Sequence, residues 1–168
     1  METLDALRHK RDTRSYRPDP VAHDVMERVL DAARMAGSAK NVQPVRVVVV
    51  TDQDAKVALK AGGDFAAWID KPPVLVVMTV RTDAGPRRFF DVGRHSQNLM
   101  VAAHAEGLAS CPVTFHHQDV VRSILAIPDD VEAPMVITLG WPGKTEGPSP
   151  IAGPRVPLDD YVSHGTWA

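Results

Sequence analysis

From His23 onward, Val25, Val29 and Ala33 recur at every fourth position, and Met26 and Leu30 widen the stripe. Glu27, Arg28 and Asp31 fall opposite, so the pattern predicts an amphipathic helix with Gly37 as its stop. A shorter helix is predicted over residues 1–10, with Leu4 and Leu7 on one side. The two prolines of "RPDPVAHD" separate these elements. "VRVVVV" (45–50) is β-branched and nearly unbroken, which predicts the most buried strand of the chain, central and covered on both faces.

"TDQDAKVALKAGGDFAAWID" (51–70) reads as a further helix weakened by Gly62 and Gly63, and "PVLVVMTV" (73–80) as a second strand. "RTDAGPRRFF" is a loop that turns at Gly85-Pro86. Residues 91–108 form the most apolar helical stretch, ended by Gly107. "SCPVTFHH" is a short strand or extended loop, "QDVVRSILAI" a short helix closed by Pro128, and "PMVITLGWP" (134–142) a third buried strand. No internal repeat is visible. The rest of the chain has little pattern but carries Ile151, Val156, Leu158, Tyr161 and Trp167, which predicts docking on this subunit or another.

A length of 168 residues suits a single domain spanning 1–168. A net charge of −2 makes no electrostatic case for nucleic acid or an anionic membrane. The charged N-terminus lacks a secretory core, and no apolar run reaches the roughly 18 residues of a membrane span. Cys111, the lone cysteine, suits a reducing compartment. The expectation is a soluble cytoplasmic protein.

Two polar clusters carry candidate chemistry. "KRDTR" places Lys10, Arg11 and Arg14 close together, and guanidinium groups match phosphate oxygens in pairs. Alone, such a cluster is more often a solvated face. In "SAKNVQ", Ser38, Asn41 and Gln43 stand directly before the strand, where amides suit a planar ring edge with alternating C=O and N–H. The other reading is a turn whose Ser38 and Asn41 bond their own backbone. No HExxH, paired CxxC or carboxylate–histidine helical pair appears, and adjacent His116 and His117 would point to opposite faces of an extended segment. His95 and His104 read as helix histidines bonded to a neighbour. No GxSxG, GxGxxG or P-loop occurs, and Cys111 beside Pro112 is in an apolar setting, so a cofactor is expected to carry any chemistry.

Four segments, taken in order, resemble the nitroreductase-like flavoprotein family. They are "KRDTRSYRPDPV", "ARMAGSAKNVQPVRVVVVTD", "DVGRHSQNLMVAAHAEGLASCPV" and "VRSILAIPDDVEAPMVITLGWP". The resemblance implies an α+β three-layer sandwich, with a mainly antiparallel central sheet between helices. It further implies non-covalent FMN at the interface of a homodimer, and a C-terminal arm (143–168) that embraces the partner. Carried over, Arg11, Asp12 and Arg14 fall at the phosphate- and ring-contacting positions, and Ser38, Asn41 and Gln43 at the flavin-binding loop. Pro112, Val113 and Thr114 match the strand end whose backbone approaches the isoalloxazine ring, and Arg155 a basic tail position. Asp12 stands where the family usually has Ser, so it cannot bind phosphate but could take a ring N–H or orient Arg14. The implied activity is ping-pong hydride transfer at flavin N5, from NAD(P)H to a nitroaromatic, quinone or similar small acceptor, with no catalytic side chain and no metal. The alternatives are a non-catalytic flavin-storage module and a flavin-fragmenting enzyme of the dimethylbenzimidazole-forming kind.

Overall fold

The computed structural model describes residues 2–144 and 153–167. Its helices are α1 (Thr3–His9), α2 (His23–Arg34), α3 (Gln53–Leu59), α4 (Arg88–Ala105), α5 (Gln118–Leu125) and α6 (Leu158–Tyr161). The strands are β1 (Val45–Val50), β2 (Val74–Arg81), β3 (Ala109–Thr114) and β4 (Val131–Gly140). They form one sheet in the order β1-β2-β4-β3, every neighbouring pair antiparallel. The architecture is therefore the expected α+β sandwich.

Strand alternation divides the core into two layers. Val45, Val76, Met78, Ile137 and Leu139 face α2 and α4, where they meet Met26, Val29, Leu99 and Ala103. Val50, Leu75, Val77, Val113 and Val136 face the other way, onto Leu59, Phe115 and Val121 of the α3 and α5 layer. Helix α4 begins at Arg88, three residues earlier than expected, and ends in a Schellman motif. There the Leu108 amide donates to the Ala103 carbonyl at 2.8 Å and the Gly107 amide to His104 at 3.0 Å, with Gly107 at φ 81°.

The expectation for β1 is corrected. It is an edge strand, and Val47 and Val49 are 37% and 42% exposed, whereas β2 is buried along all but its last residue. Val45 joins the buried cluster of α2 and α4, whereas Val47 and Val49 on the same face are not among its buried residues. A valine run broken only by Arg46 reads as buried on both sides whatever its place in the sheet. The helix expected over 51–70 is also shorter. It stops at Leu59 and tightens into a 3-10 turn (Lys60–Gly62), because the chain then passes close beneath its neighbours. A Cβ on Gly62 would lie 2.5 Å from Val121 Cγ2, and one on Gly63 2.6 Å from the Thr114 carbonyl oxygen.

The described tail residues, 153–167, are all exposed. Val156, Leu158, Tyr161 and Trp167 are 63%, 73%, 78% and 96% exposed on their own chain. Ile151 lies outside the described residues. Among the described residues no helix is long and apolar enough to cross a membrane.

Candidate functional site

Beyond α1 the chain turns extended at Lys10 (φ −55°, ψ 127°) and runs along the outer edge of β3. The Thr13 amide donates to the Ser110 carbonyl at 3.1 Å, and the Arg17 amide to Trp141 at 2.9 Å. Asp12 bridges Ser110, and Tyr16 bridges Pro142 beyond β4. This edge is where Pro112 is tolerated, since proline has no N–H to offer a further strand. The strip also carries Tyr16, whose hydroxyl lies 2.7 Å from the Thr13 carbonyl oxygen. Burial pushes the Tyr16 phenol above its ordinary range.

Strip, α1, α4 and tail enclose a cleft of about 570 Å³. Arg8, Lys10, Arg11 and Arg155 line it, with Asp12 as the one carboxylate, beside Gln97, Met100 and Pro112. The Lys10 side chain is only 9% exposed. Its ammonium donates to Asp12 and approaches the Met100 sulfur at 3.2 Å. One Arg11 nitrogen, Nη1, donates to the Arg8 and Lys10 carbonyls at 2.7 and 2.8 Å, which fixes the guanidinium over the end of α1. Such a set of cations suits an anionic group of phosphate size.

Arg14 departs from this group. Its guanidinium lies 5.3 Å from the Trp68 ring centroid, on the α3 side. Nearby, burial pushes the Cys111 thiol up, and Arg14 only partly opposes the shift, so this sulfur is a poor nucleophile. Along β3 the pleat separates the three expected residues. Pro112 lines the cleft, Val113 points into the core, and Thr114 is exposed at the strand end.

The Ser38–Gln43 loop stands at the opposite edge of the sheet, leading into β1. Ser38 Oγ accepts the Gln43 amide at 2.8 Å, and Gln43 Nε2 donates to Asn41 Oδ1 at 3.1 Å. Part of the turn reading is therefore present. However, Lys40, Asn41 and Gln43 all have φ between 50° and 55°, a left-handed conformation costly for residues other than glycine. Gln43 also borders a groove of about 800 Å³ between α2 and β1, where Leu30, Ala33, Val45 and Val47 lie among the charged Glu27, Arg28, Asp31, Arg34 and Arg46 and beside His95. With three strand spacings between β1 and β3, the two polar groups are separated by about 14 Å of sheet. One chain brings Arg11, Asp12, Pro112 and Arg155 together, and does not bring Ser38, Asn41 and Gln43 to them.

Lys10, named in the basic cluster without a carried-over flavin role, lines the cleft, as do Arg8, Gln97 and Met100, which were not named. Lys10 had a signal, since it stands within the same basic cluster. Arg8 stands two residues before it in α1, and Gln97 and Met100 had no signal, because α4 meets the strip only through the tertiary fold. His95 bonds the Asp91 carbonyl at 2.8 Å as a helix histidine would. His104 does not follow that expectation. Its Nε2 is buried with no hydrogen-bond partner, and burial, with nearby His9, Lys10 and Arg11, lowers its pKa. His116 and His117 do not diverge as an extended pair would, because β3 ends at Thr114. His117 Nε2 lies 3.0 Å from Asp64 Oδ1, and the Asp64 amide donates to His116 Nδ1 at 3.2 Å. Among the described residues no His, Cys, Asp and Glu side chains are grouped to hold a metal ion.

The chain as a whole is similar to known proteins. The family model described as "Nitroreductase family" matches residues 7–66 and 62–141. A protein of Thermus thermophilus named NADH dehydrogenase is 27% identical, covering 96% of this chain and 95% of its own length. An FMN reductase [NAD(P)H] of Bacillus subtilis is 35% identical over 76 residues, which cover 45% of this chain and 30% of that protein. A nitroreductase family protein of Clostridium difficile superposes with a TM-score of 0.86 at 25% identity, covering 99% of this chain and 100% of that one.

Proposed function

The chain belongs to the nitroreductase family and is an oxidoreductase, and on that premise we propose that it carries hydride from NAD(P)H through FMN to a small conjugated acceptor. FMN is the cofactor of this reading, with NAD(P)H as reductant, in keeping with the relatives named for them. The observation that carries the proposal is the cationic cleft, where Lys10, Arg11 and Arg155 converge from the end of α1, the strip and the tail.

The residues fit the cofactor. Arg11, Arg155 and Lys10 would hold its phosphate, and the β3 backbone at Pro112–Thr114 would lie along its ring. Ser38, Asn41 and Gln43 offer the donors and acceptors that a pyrimidine edge needs. Because they stand at the far edge of the sheet, the loop completing a given cleft would come from a second copy of the chain. The reading is therefore a homodimer with flavin at the interface, and the exposed apolar side chains of the tail would lie over the partner.

When bound, FMN supplies the centre that accepts and returns the hydride. The chain's own contribution is to orient and to stabilise charge. Basic and amide groups around the ring favour its reduced, anionic form, and a shared position for reductant and acceptor gives alternating, ping-pong turnover. The acceptor class is nitroaromatic or quinone. Flavin storage requires no NAD(P)H consumption, whereas flavin fragmentation would consume reduced flavin with oxygen and so destroy the flavin absorbance. A visible spectrum of the purified protein, with FMN released on unfolding at about one per chain, followed by acceptor-dependent NAD(P)H oxidation, tests the reading. A colourless protein that fails to bind added FMN would overturn it. Bound flavin without turnover on any such acceptor would leave storage instead.

A further inference from the structure

We propose that Asp12 is a specificity-determining residue of the cationic cleft, holding the Lys10 ammonium and so limiting what a ligand's phosphate adds to binding. The inference rests on the flavin reading above and concerns which flavin the site prefers. Lys10 is nearly buried, and its recorded partners are the Asp12 carboxylate and the Met100 thioether. A thioether is a weak acceptor and carries no charge. Asp12 is therefore the counter-ion of the least solvated cation in the cleft.

The Asp12 side chain is itself 54% exposed and lines the same cleft as Arg8, Arg11 and Arg155. A phosphate dianion drawn to these cations meets the carboxylate at the same place. It must share the ammonium with Asp12 or displace Asp12 toward solvent, and like charges at this range repel. The phosphate thus gains less from Lys10 than it would from an unpaired lysine. The consequence is weak discrimination between FMN and riboflavin, which share the ring and ribityl chain and differ in the phosphate.

The test is the dissociation constant of each flavin for the full-length protein, followed by quenching of flavin fluorescence. Asp12→Asn keeps the shape and removes the charge, and Asp12→Ser serves as a second variant. Either should tighten FMN by roughly tenfold while leaving riboflavin within about twofold, and raised salt should shrink the gap. Lys10→Met should weaken FMN and spare riboflavin. An unchanged FMN-to-riboflavin ratio, or weaker FMN binding in both Asp12 variants, would overturn the proposal while leaving the flavin reading standing. Binding of neither flavin by wild type or variants would overturn the flavin reading and this inference with it.

Discussion

The Tyr16 hydroxyl lies 2.6 Å from Oγ1 of Thr138, which lies 3.0 Å from the Cys111 carbonyl oxygen. With the Thr13 carbonyl also in reach of Tyr16, two hydroxyl protons serve three oxygen contacts. This small network ties the basic strip to β3 and β4 at once, so the cleft's shape depends on a phenol outside it. Tyr16→Phe is expected to lower stability by about 1–2 kcal/mol, read as a shift in urea midpoint. The sign of its pH dependence follows from burial, which raises the folded-state pKa above the unfolded one. The wild type should hold this contribution below the ordinary phenol value, about pH 10, and lose it as pH rises further. The Phe variant should lack that alkaline component. Parallel curves for the two proteins would refute the assignment.

Gly62 is fixed by close approach, with Val121 Cγ2 2.5 Å and the Phe115 ring 3.0 Å from where a Cβ would stand. Gly62 also supplies the carbonyl that accepts the His116 and His117 amides at 2.8 and 3.0 Å. Gly62→Ala should therefore destabilise by about 1–3 kcal/mol through overpacking against α5. A thermal midpoint equal to wild type would show that the α3–α5 layer yields more easily than its packing implies.

The flavin-loop candidates stand in a strained turn. Lys40 has φ 52° and its side chain is exposed. Lys40→Gly should raise stability by about 0.5–1 kcal/mol, since the left-handed conformation costs glycine little. Its effect on flavin retention should be small compared with that of Asn41→Ala, whose side chain bonds Gln43. Equal losses of flavin in the two variants would count against a role for the Asn41 amide.

What could be read from sequence depended on how local the determinant was. Helix α4 and its end were legible because the apolar periodicity and Gly107 act within a few residues. The placement of β1 was not, because Val45 to Val50 has one composition whether neighbours cover it or not, and strand order decides that. The same limit applies to the site. "KRDTR" and the Ser38–Gln43 loop were visible as chemistry, but their positions at opposite edges follow from β1-β2-β4-β3 pairing. Asp12 was expected toward Arg14 or a ring N–H. The first of these is not seen: Asp12 pairs with Lys10, and Arg14 turns to Trp68. The left-handed turn at Lys40, Asn41 and Gln43 carried no glycine to announce it.

At the start of α4, Arg88 grips Glu132 of β4 with two bonds, Nε to Oε2 at 2.8 Å and Nη2 to Oε1 at 3.0 Å. That pairing is the main reason Glu132 titrates below the usual carboxylate range, with Arg122 adding a little. A depressed folded-state pKa stabilises above the unfolded value and is lost as pH falls through the folded one. Arg88→Met should therefore lower the urea midpoint at neutral pH, and the difference from wild type should start to shrink below the unfolded carboxylate value, about pH 4.3, and vanish once the folded Glu132 is protonated. A difference that persists in acid would assign the effect to packing of the Arg88 stem over Phe89, where the guanidinium lies 4.6 Å from the ring centroid.

The separation of Arg11 from Gln43 across the sheet makes a stronger prediction than either residue alone. If a site takes its strip from one chain and its loop from another, Arg11→Ala and Gln43→Ala homodimers each have two defective sites. A mixed dimer places both lesions in one site and leaves the other with the wild-type Arg11 and Gln43. Co-expressing the variants under different tags and purifying the doubly tagged species should restore about half an equivalent of FMN per chain. If one chain supplied both groups to its own site, every site in the mixed dimer would still carry a lesion. Flavin content no higher than in the two parent homodimers would then exclude the shared site. Recovery of that half-equivalent would locate the flavin between chains without a bound structure, and would explain why the basic strip and the polar loop occupy opposite edges of one sheet.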